Sequence, residues 1–249
     1  MSNIAFIAAR MGSERLPGKV IKKLCGIPSL VHIFNILKDC RKLDGFAVVT
    51  TVLAEDDIIE KICKENSVKI IRGSVHDVLD RFRIAAELLK PDRIIRVTGD
   101  DPLMDPEIID HVIEEHCKGN FDYTSNIIER TYPRGMDTEV IEIEALKRCW
   151  RDSPDKDDHE HVTLYIRRHP DLFSIQSVRK EGDPLDDLRL CLDTEEDFNL
   201  ITEIYNNLYK YKPIKLKDII KFLDDNPQLR GLNSGIEQKA VKEKIQMNA

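Results

Sequence analysis

The sequence predicts an α/β fold built on a mostly parallel sheet, and three observations carry that prediction. Apolar runs of strand length alternate with segments of helical periodicity through the first 120 residues. Turn-forming Gly, Asp and Pro cluster where one pattern gives way to the next. The chain has 249 residues, 41% of them hydrophobic, enough to bury a substantial core as one domain with a smaller appendage. Repeated βα units of this kind imply right-handed crossovers and a parallel sheet.

Taken in order, the apolar run from Ile4 to Ala9 is the first strand, continuous in the way of a strand covered on both faces. Pro28 opens a helix to about Lys38, and Gly45 to Thr51 is a strand. Glu55, Asp56 and Asp57 supply the acidic first turn of a helix reaching about Glu65. Val68 to Ile71 is a strand, His76 to Leu89 has helical spacing, and Arg93 to Thr98 is a strand ending in Gly99-Asp100-Asp101-Pro102. Helix is expected from Pro106 to Cys117, strand from Asp122 to Ser125 and from Thr138 to Ile143, and helix from Glu144 to Trp150. A polar stretch from Asp152 to Asp158 precedes a helix near His161 to Arg168, with strands near Phe173 to Val178 and Leu188 to Leu192. Helices from Glu195 to Tyr209 and Lys215 to Asp224 close the fold. We read residues 1–225 as one domain, within which 130–190 forms a second part expected to be available for dimerisation. Residues 226–249 hold few large apolar side chains and are expected to be an arm or docking segment.

The net charge is −7 and the sequence pI near 5.6, which argues against a general binder of nucleic acid or anionic membranes. Cys25, Cys40, Cys63, Cys117, Cys149 and Cys191 stand singly, without zinc-ligand spacing, and are expected to be reduced thiols. The first apolar run is short for a signal peptide and no later run approaches a membrane span, so the cytoplasm is the expected compartment.

Against that acidic background, the loop after the first strand is locally basic. Arg10, Arg15 and Lys19 follow the strand directly, in a loop containing Gly12, Ser13 and Gly18. Ligands of open parallel sheets bind beyond the carboxyl ends of the strands, so this is where a phosphate would be held, with a solvated basic turn as the alternative. A P-loop is excluded: five residues separate the glycines, and Val20 follows Lys19 where a hydroxyl would be needed. Asp100 and Asp193 each end an apolar strand-like run, and such acids are costly to desolvate unless a cation pairs them. Magnesium, which takes one or two carboxylates plus phosphate oxygens and water, is the economical partner. Asp101 is read first as part of an Asp-Pro turn capping the next helix, with a place beside Asp100 on the metal as the alternative. Asp137 and Glu139, two apart on a strand, share one face, either toward a ligand or toward solvent. His159 and His161, also two apart, diverge on a helix and make a poor metal site.

Several of these segments together resemble one family. They are Ala9-Arg10-Met11-Gly12-Ser13-Glu14-Arg15-Leu16-Pro17-Gly18-Lys19, Arg72-Gly73-Ser74 with Asp77-Val78-Leu79-Asp80-Arg81, Thr98-Gly99-Asp100-Asp101-Pro102-Leu103, Tyr132-Pro133-Arg134-Gly135-Met136-Asp137, Glu160-His161-Val162-Thr163 and Asp193-Thr194-Glu195-Glu196-Asp197. In this order they resemble the cytidylyltransferases, in particular the spore-coat polysaccharide biosynthesis protein F branch, with the CMP-3-deoxy-manno-octulosonate and CMP-acylneuraminate synthetases as relatives. The resemblance implies a Rossmann-like sheet of glycosyltransferase-A type and an enzyme joining a nucleoside triphosphate, CTP first, to a sugar with release of pyrophosphate. It implies nucleotide binding by Ala8, Ala9, Arg10, Met11, Gly12, Ser13, Arg15, Lys19, Arg72 and Gly99, with Arg10, Arg15 and Lys19 as the catalytic cations. Asp100 and Asp193 match magnesium ligands, and Asp137, Glu139, Glu160 and His161 fall on the sugar side. A sugar-1-phosphate guanylyltransferase, or a glycosyltransferase of the same fold, is the alternative. Glu14 and Arg134 depart from the branch pattern, Glu14 placing an acid beside the phosphate loop.

Overall fold

The computed structural model describes residues 1–237. Its centre is a seven-stranded sheet in the order β5-β4-β1-β6-β8-β7-β9. These strands are β1 (Asn3–Ala8), β4 (Gly45–Thr51), β5 (Lys69–Gly73), β6 (Arg93–Thr98), β7 (Tyr123–Ser125), β8 (Glu139–Glu142) and β9 (Ile175–Ser177). The first four are parallel; β8 runs antiparallel to both β6 and β7, and β9 is parallel to β7. The numbering omits a two-residue hairpin, β2 (Lys23–Leu24) with β3 (Ile27–Pro28), that the sequence did not announce.

The period-2 rule explains how one apolar run serves two cores. In β1, Ala5 and Ile7 enter the layer beneath α1 (Ser29–Asp39), α2 (Asp57–Glu65) and α4 (Pro106–Cys117), while Phe6 faces the layer of α3 (Val78–Leu89) and α5 (Ile143–Asp152). Val48 and Val49 of β4 divide in the same way, as do Ile95 and Ile94 of β6. A third cluster lies to one side, where α8 (Glu195–Leu208) and α9 (Leu216–Asp225) close over Leu188, Leu190 and Leu192.

Helix ends follow from capping chemistry. Asp105 accepts from the Glu107 N–H at 3.0 Å with Pro106 in the first turn, so α4 begins where the sequence predicts. Asp105, not Asp101, is therefore the cap. Thr194 and Asp197 form a reciprocal capping box at the start of α8. The helix expected near 161–168 is two short ones, α6 (Lys156–His161) and α7 (Leu164–Arg168), broken at Val162, whose φ of 56° is unusual for a β-branched residue.

Leu188 to Leu192 is not a strand of the sheet. Its alternating leucines are buried as expected, but its backbone bonds go to loops: Arg134 N–H donates to Leu188 O, Leu190 N–H to Arg134 O, and Leu192 N–H to Asp100 O at 2.7 Å. Gly135 permits this crossing, since a Cβ there would lie 2.5 Å from the Leu190 carbonyl carbon. The described part of the C-terminal segment docks. After α10 (Pro227–Arg230), buried Asn233 donates to Arg189 O and to Asp197 Oδ1 at 2.8 Å. The rest of that segment lies outside the described residues. Among the described residues no disulfide forms, and no helix is long and apolar enough to cross a membrane.

Candidate active site

The chain passes from β1 to β4 and β5 on one side, then returns to place β6 on the other. The order reverses between β1 and β6, and in parallel sheets the crevice beyond such a switch point is the expected ligand site. Gly99 makes that crevice narrow at its base. Its N–H donates to Ala8 O at 2.9 Å, and a Cβ on it would stand 2.9 Å from Ala9 Cβ, so the ends of the two strands touch.

Above them opens a cleft of about 560 Å³. Of the residues picked out from the sequence, Ala8, Ala9, Arg10, Gly12, Ser13, Arg15, Lys19, Gly99, Asp100, Glu160, His161 and Asp193 line it. An adjoining hollow of about 660 Å³ shares Arg10, Val78 and Glu160 with it and adds His76, Asp77, Lys156 and His159.

The charged centre is built from three segments. Lys19 Nζ, at the start of a 3-10 turn, hydrogen-bonds to Asp100 and sits 2.6 Å from Asp193 Oδ1. Arg15 reaches Asp193 Oδ2 at 2.9 Å, and Arg189 reaches the same oxygen at 2.8 Å while gripping buried Asp197. Burial lowers the affinity of Lys19 for its proton, but the Asp100 and Asp193 carboxylates overcome this and hold the ammonium charged. Burial likewise disfavours the Asp193 carboxylate, yet Lys19, Arg15 and Arg189 bring its pKa below the ordinary range. The Leu192–Asp100 backbone bond fixes the two aspartate loops together.

The phosphate-side loop is anchored by a residue the sequence reading assigned only to a helix turn. Asp56 is fully buried; it accepts the Met11 N–H at 2.7 Å and the Thr51 hydroxyl. Met11 thus serves through its backbone and does not line the cleft. Nothing in the Glu55-Asp56-Asp57 run marks which acid turns inward. For Arg189 a signal did exist, its spacing of four residues from Asp193 and eight from Asp197.

Three expected residues stand elsewhere. Arg72 lies on edge strand β5 and is spent on Thr51 O, Leu53 O, Asp57 and Glu60, outside the cleft. Asp137 is held by both arms of Arg130, at 2.6 and 2.9 Å. Glu139 is not a free acceptor for sugar hydroxyls: only 1% exposed, it pairs with Arg96 and accepts from Tyr123 Oη at 2.5 Å and Thr163 Oγ1 at 2.6 Å. The physical reason is that the Tyr123 side chain from the neighbouring strand and Thr163 at the start of α7 cover the face on which Glu139 falls, so its charge supports Arg96, which does line the cleft. Glu14 is exposed at the rim, and Arg15 turns to Asp193. Asp101, read first as part of a turn, is buried and accepts from Thr98 Oγ1 at 2.6 Å; burial and the neighbouring Asp100 raise its pKa well above the usual range.

A switch-point cleft that gathers fixed cations around two facing carboxylates is suited to a ligand that carries phosphate and metal together. Comparison narrows the class: residues 4–241 match the cytidylyltransferase family model, and the chain belongs to that family. It is 39% identical over 251 residues to an uncharacterized protein of Methanocaldococcus jannaschii, covering 98% of this chain and 99% of that one. It is 37% identical over 234 residues to the spore coat polysaccharide biosynthesis protein SpsF of Bacillus subtilis, covering 91% and 96%. Among solved structures, a cytidylyltransferase of Leptospira borgpetersenii superposes with a TM-score of 0.88 at 29% identity, over 96% of this chain and all of that one. A CMP-2-keto-3-deoxy-manno-octonic acid synthetase solved with CTP has a TM-score of 0.66 at 14% identity over 83% of this chain, a likeness of fold alone.

Proposed function

We propose that the chain transfers a cytidylyl group from CTP to a sugar acceptor, releasing pyrophosphate, in the making of a cell-surface or spore-coat polysaccharide. The observation that carries this reading is the convergence of Lys19, Asp100 and Asp193 above the β1/β6 switch point. The relatives named above supply the cytidylyl and polysaccharide parts.

In this reading Arg10, Ser13, Arg15 and Lys19 hold the triphosphate. The acceptor oxygen attacks the α-phosphorus in line, a hydroxyl acceptor giving up its proton to water; the bond to the β-phosphate oxygen breaks, and pyrophosphate leaves with the electron pair. Negative charge spreads over the transferring and departing groups, where preorganised cations favour the transition state. Glu160 and His161 stand on the cleft wall for the acceptor; burial keeps His161 below its usual pKa and hence a neutral hydrogen-bonding group.

The donor set also fits a magnesium ion. Asp100 and Asp193 already converge on one cation, the Lys19 ammonium. Two carboxylates completed by phosphate oxygens and water are what magnesium prefers. Bound there, it would neutralise charge on the phosphate oxygens.

Pyrophosphate release, measured with each of the four nucleoside triphosphates over a panel of sugars, tests the proposal. CTP is expected to give the highest rate, with Asp100→Asn and Asp193→Asn each slower by about 10²-fold or more at unchanged fold. Consumption of a nucleotide-sugar without pyrophosphate formation would instead indicate a glycosyltransferase.

A further inference from the structure

His161 is the last residue of α6, and the chain turns sharply after it. Val162 has φ 56° and ψ −56°, and the Thr163 N–H donates back to the His161 carbonyl at 2.5 Å, so the three residues form a γ-turn of the rare, strained hand. A β-branched residue holds such a conformation only where its surroundings require it. Here both sides of the turn are fixed in the interior: the Val162 side chain is fully buried in the layer of α3 and α5, and Thr163 Oγ1 donates to Glu139 at 2.6 Å. The turn leaves the half-buried His161 on the wall of the main cleft.

Among the described residues neither ring nitrogen of His161 has a hydrogen-bond partner. Other histidines are spent: His32 on Leu24 O, His116 on Thr124 and Glu142, His159 on Asp77 and His169 on Tyr165 O. The charges around His161 favour its neutral ring. Glu160 and Asp157 of α6 act for the imidazolium, Arg96 of β6 and Arg167 of α7 act against it, and Arg10 and Arg81 stand on the same cleft. A neutral imidazole with an unpartnered nitrogen is equipped to take a proton. The acids of the cleft suit that task less well: Asp100 and Asp193 are engaged with Lys19, and Glu14 and Glu160 are exposed to water, where a carboxylate is a weaker base than imidazole.

We propose that His161 is the general base of the transfer: one ring nitrogen takes the proton of an acceptor hydroxyl while its oxygen bonds to the α-phosphorus, the bond to the β-phosphate oxygen breaks, and pyrophosphate leaves with the electron pair. The imidazolium then returns its proton to water. This rests on the nucleotidyltransferase reading above and puts His161 in the place given there to water. It also commits the acceptor to a hydroxyl, because a sugar phosphate is already ionised at neutral pH and needs no base.

Pyrophosphate release with CTP and magnesium, followed from about pH 5 to pH 9, tests the role, with free 3-deoxy-manno-octulosonate, mannose and glucose and the 1-phosphates of the last two as acceptors. Wild type is expected to use a free sugar, with kcat falling on the acid side of the His161 pKa, where the protonated ring can accept nothing. His161→Gln keeps hydrogen-bonding atoms but takes no proton; it should lower kcat by about 10²-fold or more, leave KM for sugar and CTP within about threefold, and lose the acid limb. His161→Ala should lose as much and recover in part with added imidazole, in proportion to imidazole's neutral form, which covers a glutamine variant that does not fold. A glutamine variant with unchanged kcat and raised KM for the sugar shows a residue that only binds, and overturns the proposal, as does an acid limb that survives the substitution. Wild type active solely on the 1-phosphates overturns the base and leaves nucleotidyl transfer standing. Pyrophosphate released with none of the acceptors overturns both.

Discussion

Replacing Glu139 by Gln removes one negative charge from a site where three donors converge. Tyr123 and Thr163 hydroxyls share one carboxylate oxygen and Arg96 takes the other. The amide has a single acceptor oxygen. In its better orientation that oxygen faces Arg96 and the hydroxyls rotate to accept from the NH₂, so bonds survive but charge assistance does not. A hydrogen bond to a charged group contributes about 1.5–3 kcal/mol against about 0.5–1.5 for a neutral one, a loss of about 1 kcal/mol at Arg96 alone. The larger part is the guanidinium left without its counter-charge. Removing one partner of a fully buried pair costs about 3–5 kcal/mol, and the Arg96 side chain, 18% exposed, recovers some of this from water. A total of about 2–3 kcal/mol follows, which for a chain of this length lowers Tm by roughly 4–12 °C. Burial works against the Glu139 carboxylate, but Arg96, Arg167 and the two hydroxyls hold its pKa below the ordinary value. Its stabilisation is therefore present above the unfolded pKa of about 4.3 and is lost as pH falls through the lower folded pKa. Urea denaturation of wild type and variant at pH 7 measures the difference. A gap under about 0.5 kcal/mol would show that Glu139 does not carry the charge balance of Arg96.

Two further outcomes are expected. Lys19→Met should cut pyrophosphate release by about 10²-fold or more, and in metal-free buffer should also lose about 1–2 kcal/mol of stability, because Asp100 and Asp193 then face each other with only Arg15 and Arg189 nearby; equal turnover at saturating CTP would remove Lys19 from the chemistry. His159, 2.7 Å from Asp77, has burial lowering its pKa and Asp77 raising it by more, so its bond stabilises fully below the unfolded pKa of about 6.5 and fades as pH rises through the higher folded one. His159→Gln should accordingly reduce Tm more at pH 5.5 than at pH 9, by an amount worth no more than about 1 kcal/mol given the partial exposure of both groups, and identical losses at the two pH values would refute the pairing.

What could be read from the sequence was whatever a residue's immediate neighbours decide. β4, β6 and α4 begin and end where expected because unbroken apolar runs and an Asp-Pro cap are local signals. Asp100 and Asp193 were visible for the same reason, each being a charge at the end of an apolar run, and Lys19 as a cation in the loop that follows one. Glu139 was not, since alternation places it on a face but cannot say that Tyr123 and Thr163 will cover that face. Leu188–Leu192 has the composition of a strand, yet whether its backbone pairs with a ladder or with loops depends on Arg134 and Asp100, 54 and more residues upstream. Arg72 sits in a segment that matches its family, and only the edge position of β5 shows its donors turned away.

The Leu192–Asp100 bond has a bearing on how the molecule is made. It joins positions far apart in the chain, and the layer that packs on the Asp193 segment, α8 with α9, is synthesised after the strands of the sheet. Contacts of such long sequence separation form late, after the loop entropy between them has been overcome. A nascent chain emerging N-terminus first can assemble β1, its phosphate-side loop and β6 well before Asp193 exists. The half-built cleft then has Lys19 and Asp100 but lacks their third partner, so the three-way contact waits on the docking of the segment that carries Asp193.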